Sequence, residues 1–168
     1  IAGRAAAAPD IGAALEWRLV GPFRAGWATA VAGVSGGSDT FYMGTAGGGV
    51  WKSGDAGHTW QAVFDGVGSS SVGSLAVSAS NPATLYAGMG AVTSRYDIAR
   101  GDGVYRSDDG GLNWRHLGLA ASQHIGAIKV DPRDPDIALV AALGPAFGPG
   151  TERGVFRTTD GGRTWKKV

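Results

Sequence analysis

Side chains able to bind a polar ligand are concentrated in a few glycine-rich segments of this 168-residue chain. The two longest, 91–102 and 144–153, each combine arginine, aromatic and acidic residues. The candidate binding residues are Arg24, Trp27, Arg95, Tyr96, Asp97, Arg100, Asp102, His124, Phe147, Glu152 and Arg153. Guanidinium, imidazole and carboxylate groups beside aromatic rings suit a sugar or a peptide. Alternatively, the charged groups pair with one another and the aromatic rings pack under their own loops.

Three of these residues could also take part in catalysis. Asp97, Asp102 and Glu152 are carboxylates, and hydrolysis of a glycosidic bond needs two carboxylates about 5–10 Å apart. No motif singles out any of the three, and His124 on its own is more typical of a loop histidine than of a catalyst. We therefore predict no catalytic residue. The sequence favours binding, with glycoside hydrolysis as the alternative.

The elements that position these residues are set by a motif that occurs three times. Its pattern is Ser/Thr-x-Asp-x-Gly-x-Thr/Asn-Trp, and its tryptophans are 54 and then 51 positions apart. The defining residues are Ser53, Asp55, Gly57 and Trp60, then Ser107, Asp109, Gly111 and Trp114, then Thr158, Asp160, Gly162 and Trp165.

The flanks of the motif repeat as well. Each copy follows a Gly-Val-aromatic-Lys/Arg segment, and further upstream lie short apolar runs and turns. Each unit therefore predicts four strands of about five to seven residues, A to D. A repeat of about 50 residues with four strands matches a β-propeller blade, whereas a sandwich does not predict identity at fixed spacing. The predicted blades are approximately residues 28–64, 73–119 and 126–168, within a module covering 15–168.

The repeated motif lies between strands C and D, so we expect it to form a hairpin turn. Its Asp can accept hydrogen bonds from backbone N–H groups two or three residues on, and the Ser or Thr can bond within the turn. The glycine supplies a positive φ, and the tryptophan is expected between neighbouring blades. Each copy has one or two carboxylates, too few for a calcium site. We predict a structural role, with no metal and no cofactor.

These residues resemble the Asp-box, or bacterial neuraminidase repeat, of sialidases, sortilin-type receptors, xyloglucan-cleaving glycosidases and the photosystem II assembly propeller. The segment Gly21-Pro22-Phe23-Arg24-Ala25-Gly26 and the glycines before Trp51 look most like exported bacterial sialidase-like or sortilin-like repeat proteins. The resemblance implies a propeller in the periplasm or outside the cell, with no single activity. A sialidase site is not supported, because Phe23-Arg24 lacks the Ile-Pro that follows it in that family.

The predicted blades assign the loops to two faces. The A–B and C–D turns share one face, so the Asp-boxes point away from the B–C loops and D–A connections on the other. The candidate binding residues lie in those B–C and D–A segments. We therefore expect a carbohydrate or protein partner at that second face.

Composition and blade number limit the remaining choices. The net charge is +1 and cysteine is absent, so neither nucleic acid nor a thiolate metal site is indicated, and no apolar run is long enough to span a membrane. Residues 1–14 are expected to be flexible, and residues 16–20 resemble an additional strand D. Propellers have about four to eight blades. Three blades therefore predict either a homodimer that closes a six-bladed ring or a fragment of a longer propeller.

Overall fold

The computed structural model describes residues 26–36, 38–93 and 98–168. This part of the chain forms twelve β-strands, and its one helical segment is a 3₁₀ turn at Ala120–Ser122. The strands are β1 (Ala28–Gly33), β2 (Phe41–Thr45), β3 (Val50–Ser53), β4 (Gln61–Ala62), β5 (Val72–Val77), β6 (Leu85–Met89), β7 (Val104–Ser107), β8 (Arg115–His116), β9 (Ile125–Val130), β10 (Ala138–Ala142), β11 (Gly154–Thr158) and β12 (Lys166–Lys167).

The strands form three antiparallel four-stranded sheets in which each strand pairs with its neighbours in sequence. The sheets β1–β4, β5–β8 and β9–β12 correspond to strands A to D of blades 1, 2 and 3. The predicted all-β module of three four-stranded blades is confirmed. The expected additional strand at 16–20 and the flexible segment 1–14 lie outside the described residues.

Strand D is shorter than expected, with two residues in each blade. In blade 1, one further backbone bond follows the strand, from Val63 N to Val50 O at 2.9 Å. The carbonyl of Val63 then accepts a hydrogen bond from the Trp114 indole of the next blade instead of extending the sheet. The residue that follows strand D thus links blade 1 to blade 2.

The hydrophobic core lies between blades and has two parts. One cluster joins blades 1 and 2 through Tyr42, Val50, Phe64, Leu85 and Met89. A second joins blades 2 and 3 and is built in the same way. Alternate residues of each strand point to opposite faces of its sheet, so the middle blade can be buried on both. Strand β6 shows this, since all five of its residues are buried.

Two glycines allow the blades to approach closely near the inner strands. A Cβ on Gly44 would lie 2.5 Å from Cγ1 of Val72 in the next blade. A Cβ on Gly88 would collide with the side chain of Ile125 in the same way. Both positions lie in strand B, where a larger residue would force adjacent sheets apart.

Candidate functional site

The three repeated turns, called Asp-boxes or boxes below after the motif they resemble, have the same hydrogen bonds. In blade 2, the Ser107 hydroxyl donates to Asp109 Oδ1 at 2.8 Å and accepts from Gly111 N at 2.9 Å. Asp109 also accepts from Asn113, through the backbone N at 2.9 Å and the side-chain amide at 2.7 Å. The Ser53–Asp55–Thr59 and Thr158–Asp160–Thr164 sets repeat this arrangement. Each turn is therefore held by hydrogen bonds between its own residues.

The box aspartate was predicted to accept from backbone N–H groups two or three residues on. Two successive residues after the aspartate have positive φ, as at Gly110 (73°) and Gly111 (94°). The carboxylate accepts its backbone hydrogen bond of about 2.9–3.0 Å from the N–H four residues on, and the N–H three residues on also contributes at Asp109 and Asp160. These hydrogen bonds lower the pKa of Asp55 and Asp109 to about 2. In Asp160, the bonds from Thr164 and Thr158 also lower the pKa.

Backbone hydrogen bonds assign the loops to the two expected faces. On the box face, each C–D turn bonds the A–B turn of its own blade, as in Gly161 N to Asp136 O at 3.0 Å. On the opposite face, B–C loops bond D–A connections, as in Gly101 N to Gln123 O and Leu143 N to His124 O, both at 2.8 Å. We call this second surface the loop face.

The loop face contains a pocket of about 220 Å³ between blades 2 and 3, here called the loop-face pocket. Three predicted binding residues line it together: Arg100, His124 and Phe147. They come from three different segments, namely the two long B–C loops and the D–A connection between them. The other lining residues are Ile98, Gln123, Pro145, Ala146 and Gly148.

His124 is the buried polar group of this pocket. Its side chain is 1% exposed, and neither ring nitrogen has a hydrogen-bond partner among the described residues. Burial lowers the pKa of the imidazole; the Ala91 backbone opposes this shift and the positive charge of Arg100 adds to it. His124 is therefore neutral near pH 7 and can offer one donor and one acceptor.

Phe147 and Arg100 supply the accessible part of the pocket. Phe147 is 76% exposed, and Arg100 is exposed as well. Arg153 lies in the same loop as Phe147 and donates from Nη2 to the carbonyls of Pro145 and Gly148 at 2.7 and 3.3 Å. Arg153 thus supports the pocket loop and does not line the pocket.

The remaining predicted residues are placed elsewhere. Asp102 accepts from the Tyr105 hydroxyl at 2.6 Å, and its backbone carbonyl contacts His116 Nε2 at 2.7 Å. Glu152 has a buried Oε2 with no partner among the described residues. Trp27 is about half exposed beside blade 1. Arg24, Arg95, Tyr96 and Asp97 lie outside the described residues.

Two further depressions lie on the loop face. One, of about 540 Å³, adjoins the loop-face pocket and shares Gln123 and Pro145 with it. The other, of about 400 Å³, lies on blade 1 between the glycines 47–49, Trp51 and Asp65. Sequence reasoning missed Trp51 as a loop-face residue because its position in the repeat marks it as a blade strand.

Potential metal ligands and carboxylates are sparse at the described part of the loop face. They contain no group of three or more His, Cys, Asp or Glu residues that could hold a metal ion. Among them, no carboxylate lines the loop-face pocket or the depression beside it. No helix in the described ranges is long and apolar enough to cross a membrane.

Known structures share this architecture. The chain resembles an ancestral GH74 enzyme, with a TM-score of 0.63 and 20% identity over 84% of this chain. It also resembles the GH74 enzyme of Niastella koreensis (TM-score 0.58, 25% identity, 81% of this chain) and the GH74 xyloglucanase from Xanthomonas campestris (0.60, 23%, 84%). These enzymes are β-propellers, and the three sheets are blades of that fold.

The similarity is limited in extent. The chain spans 18%, 21% and 20% of the three solved proteins, about one fifth of each. No protein-family model matches the sequence, and no curated protein matches it either. The comparisons establish the propeller fold.

Proposed function

We propose that this chain is a non-catalytic Asp-box propeller module that binds a carbohydrate or a protein partner through its loop face. The observation that carries the proposal is the convergence of Arg100, His124 and Phe147 in one pocket. An exposed aromatic ring, a guanidinium and a buried neutral imidazole together offer stacking and directional hydrogen bonds.

The groups around the pocket favour binding over hydrolysis. A glycosidase needs two carboxylates across the scissile bond. Asp102 is held against Tyr105, and neither Asp102 nor Glu152 lines the pocket. The pocket therefore presents donors and an aromatic surface, which suit recognition of hydroxyl or carbonyl oxygens.

A carbohydrate is the ligand class to test first. Aromatic side chains beside polar groups suit sugar rings, and one propeller with similar blades is a xyloglucanase. The Asp-box resemblance further supports a location in the periplasm or outside the cell. Fractionation of the native host that finds the chain in the cytoplasm alone would contradict this location.

The test is glycan-array binding combined with a hydrolysis screen on fluorogenic glycosides. We expect the intact chain to bind a subset of glycans and to release no fluorophore. Phe147→Ala and Arg100→Ala should each weaken binding about tenfold, since loss of a binding anchor typically costs more than about 1 kcal/mol. Leu112→Ala is the matched control, because Leu112 is 77% exposed and lies in an Asp-box on the opposite face.

Two results would overturn the proposal. Binding that survives both pocket substitutions would place the ligand elsewhere. Turnover of a glycoside that is lost in Asp97→Asn, Asp102→Asn or Glu152→Gln would make the chain a glycoside hydrolase. If no glycan binds, a screen of peptides with the same variants tests the protein-partner form.

A further inference from the structure

The loop-face pocket has one ionised side chain among the described residues that line it. That side chain is Arg100, because His124 is neutral near pH 7 and no described carboxylate lines the pocket. Arg100 is exposed, and no described residue forms a hydrogen bond or a salt bridge with it. The described part of the pocket is therefore positively charged and attracts an anionic group of a ligand.

Backbone hydrogen bonds fix the chain on both sides of Arg100. Just before it, Ala91 N donates to Ala99 O at 2.8 Å, across the B–C loop of blade 2. Just after it, Gly101 N donates to Gln123 O at 2.8 Å and ties this loop to the next D–A connection. Because the loop is already held, less of its conformational freedom is lost when a ligand binds the guanidinium.

His124 supplies a second, uncharged group in the same pocket. Backbone bonds from His124 N to Ser122 O at 2.7 Å and from Leu143 N to His124 O at 2.8 Å fix its position. Its two ring nitrogens are buried without a partner among the described residues, and an unpaired buried polar group costs stability. A ligand oxygen that accepts from the imidazole N–H would remove part of that cost.

These two groups suit a carboxylate better than a phosphate. A guanidinium presents paired, coplanar N–H groups that match the two oxygens of a carboxylate. A phosphate monoester carries about −1.5 to −2 charges at pH 7, and one arginine would leave part of that charge uncompensated. The expected ligand group is therefore a carboxylate that accepts hydrogen bonds from Arg100 and His124.

Phe147 favours a sugar as the carrier of that carboxylate. Its ring is 76% exposed, and Arg153 holds its loop by donating to the carbonyls of Pro145 and Gly148. An exposed aromatic ring on a held loop can stack on the apolar face of a pyranose. The carboxyl terminus of a peptide is instead captured by a nest of backbone N–H groups, whereas the donors here are side chains.

The adjoining depression extends the site towards uncharged residues. Its volume is about 540 Å³, and it shares Gln123 and Pro145 with the loop-face pocket. Its other lining residues, none of them charged, are Ala121, Pro149, Gly150 and Thr151. A ligand that enters both parts therefore has an anionic unit beside a neutral one, as in an oligosaccharide that contains a uronic acid.

Gln123 lies at the boundary between the two parts of the site. Its φ is 58°, a left-handed conformation that is uncommon for a residue with a side chain. The hydrogen bond from Gly101 N to its carbonyl holds this segment in place. Such backbone conformations are costly and cluster at binding sites. The side-chain amide of Gln123 can both donate to and accept from sugar hydroxyl groups.

We propose that the loop face recognises an acidic oligosaccharide, with the carboxylate of a uronic acid unit bound by Arg100 and His124. Phe147 stacks on the ring of that unit, and a neighbouring neutral sugar occupies the adjoining depression beside Gln123. This inference rests on the proposed carbohydrate-binding function and narrows its ligand to one chemical class.

Binding of matched acids and esters tests the charge recognition. The probes are oligosaccharides that alternate glucuronate or galacturonate with a neutral sugar, each compared with its methyl ester, which lacks the charge. In calorimetric titrations at least one acid should bind about tenfold more tightly than its ester, since hydrogen bonds to charged groups are stronger than neutral ones. The difference should shrink as the salt concentration is raised.

Two arginine variants connect that preference to the pocket. Arg100→Gln should remove it, so that acid and ester bind about equally. Arg133→Gln is the matched control and should keep the preference. It also removes one positive charge, but Arg133 lies in the A–B turn of blade 3 on the box face, where its side chain is 87% exposed. Circular dichroism checks that both variants are folded.

Each contrary result has a distinct consequence. Equal binding of acids and esters by the wild-type chain would remove the charge recognition and leave carbohydrate binding in place. A preference that survives Arg100→Gln would overturn the assignment of the carboxylate to this pocket. Tighter binding of a sulfated saccharide, or of a peptide whose binding is lost on amidation of its carboxyl terminus, would overturn the uronic acid as the ligand. Binding of no saccharide, acidic or neutral, would contradict the proposed function in its carbohydrate form and this inference with it.

Discussion

The three Asp-boxes differ at one backbone position. Ala56 has a φ of 59°, where the other boxes have Gly110 and Gly161 at 73° and 70°. The left-handed region costs a residue with a Cβ about 1–2 kcal/mol, partly offset by the greater flexibility of glycine in the unfolded chain. Ala56→Gly should therefore raise the free energy of unfolding by about 0.5–1 kcal/mol.

Urea unfolding measures this change, and Gly110→Ala is the reciprocal control. A Cβ at Gly110 would meet the Lys52 ammonium end at 3.2 Å, which can shift, so the cost comes mainly from φ. Gly110→Ala should lower the free energy of unfolding by about 1 kcal/mol or more. If Ala56→Gly leaves the free energy of unfolding unchanged or lowers it, the left-handed backbone at Ala56 does not cost the protein stability.

The box aspartates predict a loss of stability in acid. Hydrogen bonds to Asn113 and Ser107 hold the pKa of Asp109 at about 2, below its ordinary 3.8. The unfolded chain therefore binds more protons than the folded one in this window, so stability is present above about pH 4 and falls towards pH 2. Asp109→Asn should flatten that part of the curve of unfolding free energy against pH.

The control for the acid prediction is Asp134→Asn, an exposed aspartate outside the boxes. It should leave the slope between pH 4 and pH 2 close to that of wild type. An unchanged slope in Asp109→Asn would mean that the box carboxylate does not couple to folding. Measurements at one ionic strength keep screening constant.

Box residue roles were partly predictable from the sequence. Small hydroxyl residues, aspartate and glycine at fixed spacing indicate a turn that satisfies its own backbone groups, and the Ser107 and Asp109 bonds have this form. The positive φ at the residue before Gly111 was not foreseen. The hydrogen bond from Asn113 N, four residues after Asp109, was not foreseen either, because the spacing of the motif does not specify the backbone conformation between the two residues.

At the scale of elements, the number and order of the strands followed from the repeat. The Gly-Val-aromatic-basic segments form β3, β7 and β11. In each antiparallel sheet, every strand pairs with its neighbours in sequence. The length of strand D did not follow. Strand D has two residues in each blade. The residues after it in blades 1 and 2 accept hydrogen bonds from Trp114 and Trp165 of the next blade, and no local propensity records those bonds.

The binding candidates show the same division. Sequence placed Arg100, His124 and Phe147 in loops, and the structure brings them to one pocket. It could not separate them from Asp102 or Arg153, which bond groups in or near their own loops. Which loop residues converge depends on bonds between loops, such as Gly101 N to Gln123 O, and these join segments with no shared pattern.

At the scale of the whole molecule, the three described blades follow one another, and each packs on the blade next to it in sequence. In repeat arrays stability is approximately a sum of repeat and interface contributions, so a blade with two interfaces opens less readily than a blade with one. Blade 2 has both interfaces, and its strand β6 is fully buried, whereas β2 and β10 each have an exposed large apolar residue, Phe41 and Leu139. Amide hydrogen exchange should therefore be slowest in β6.

A comparison of the three B strands tests the contribution of the blade interfaces. Strand β6 is packed between two blades, whereas β2 and β10 each pack on one neighbouring blade among the described residues. Exchange in β2 and β10 should therefore be faster than in β6, by a margin that reflects the second interface. Equal protection of all three strands would contradict this view, because a second interface would then add nothing to the stability of a blade.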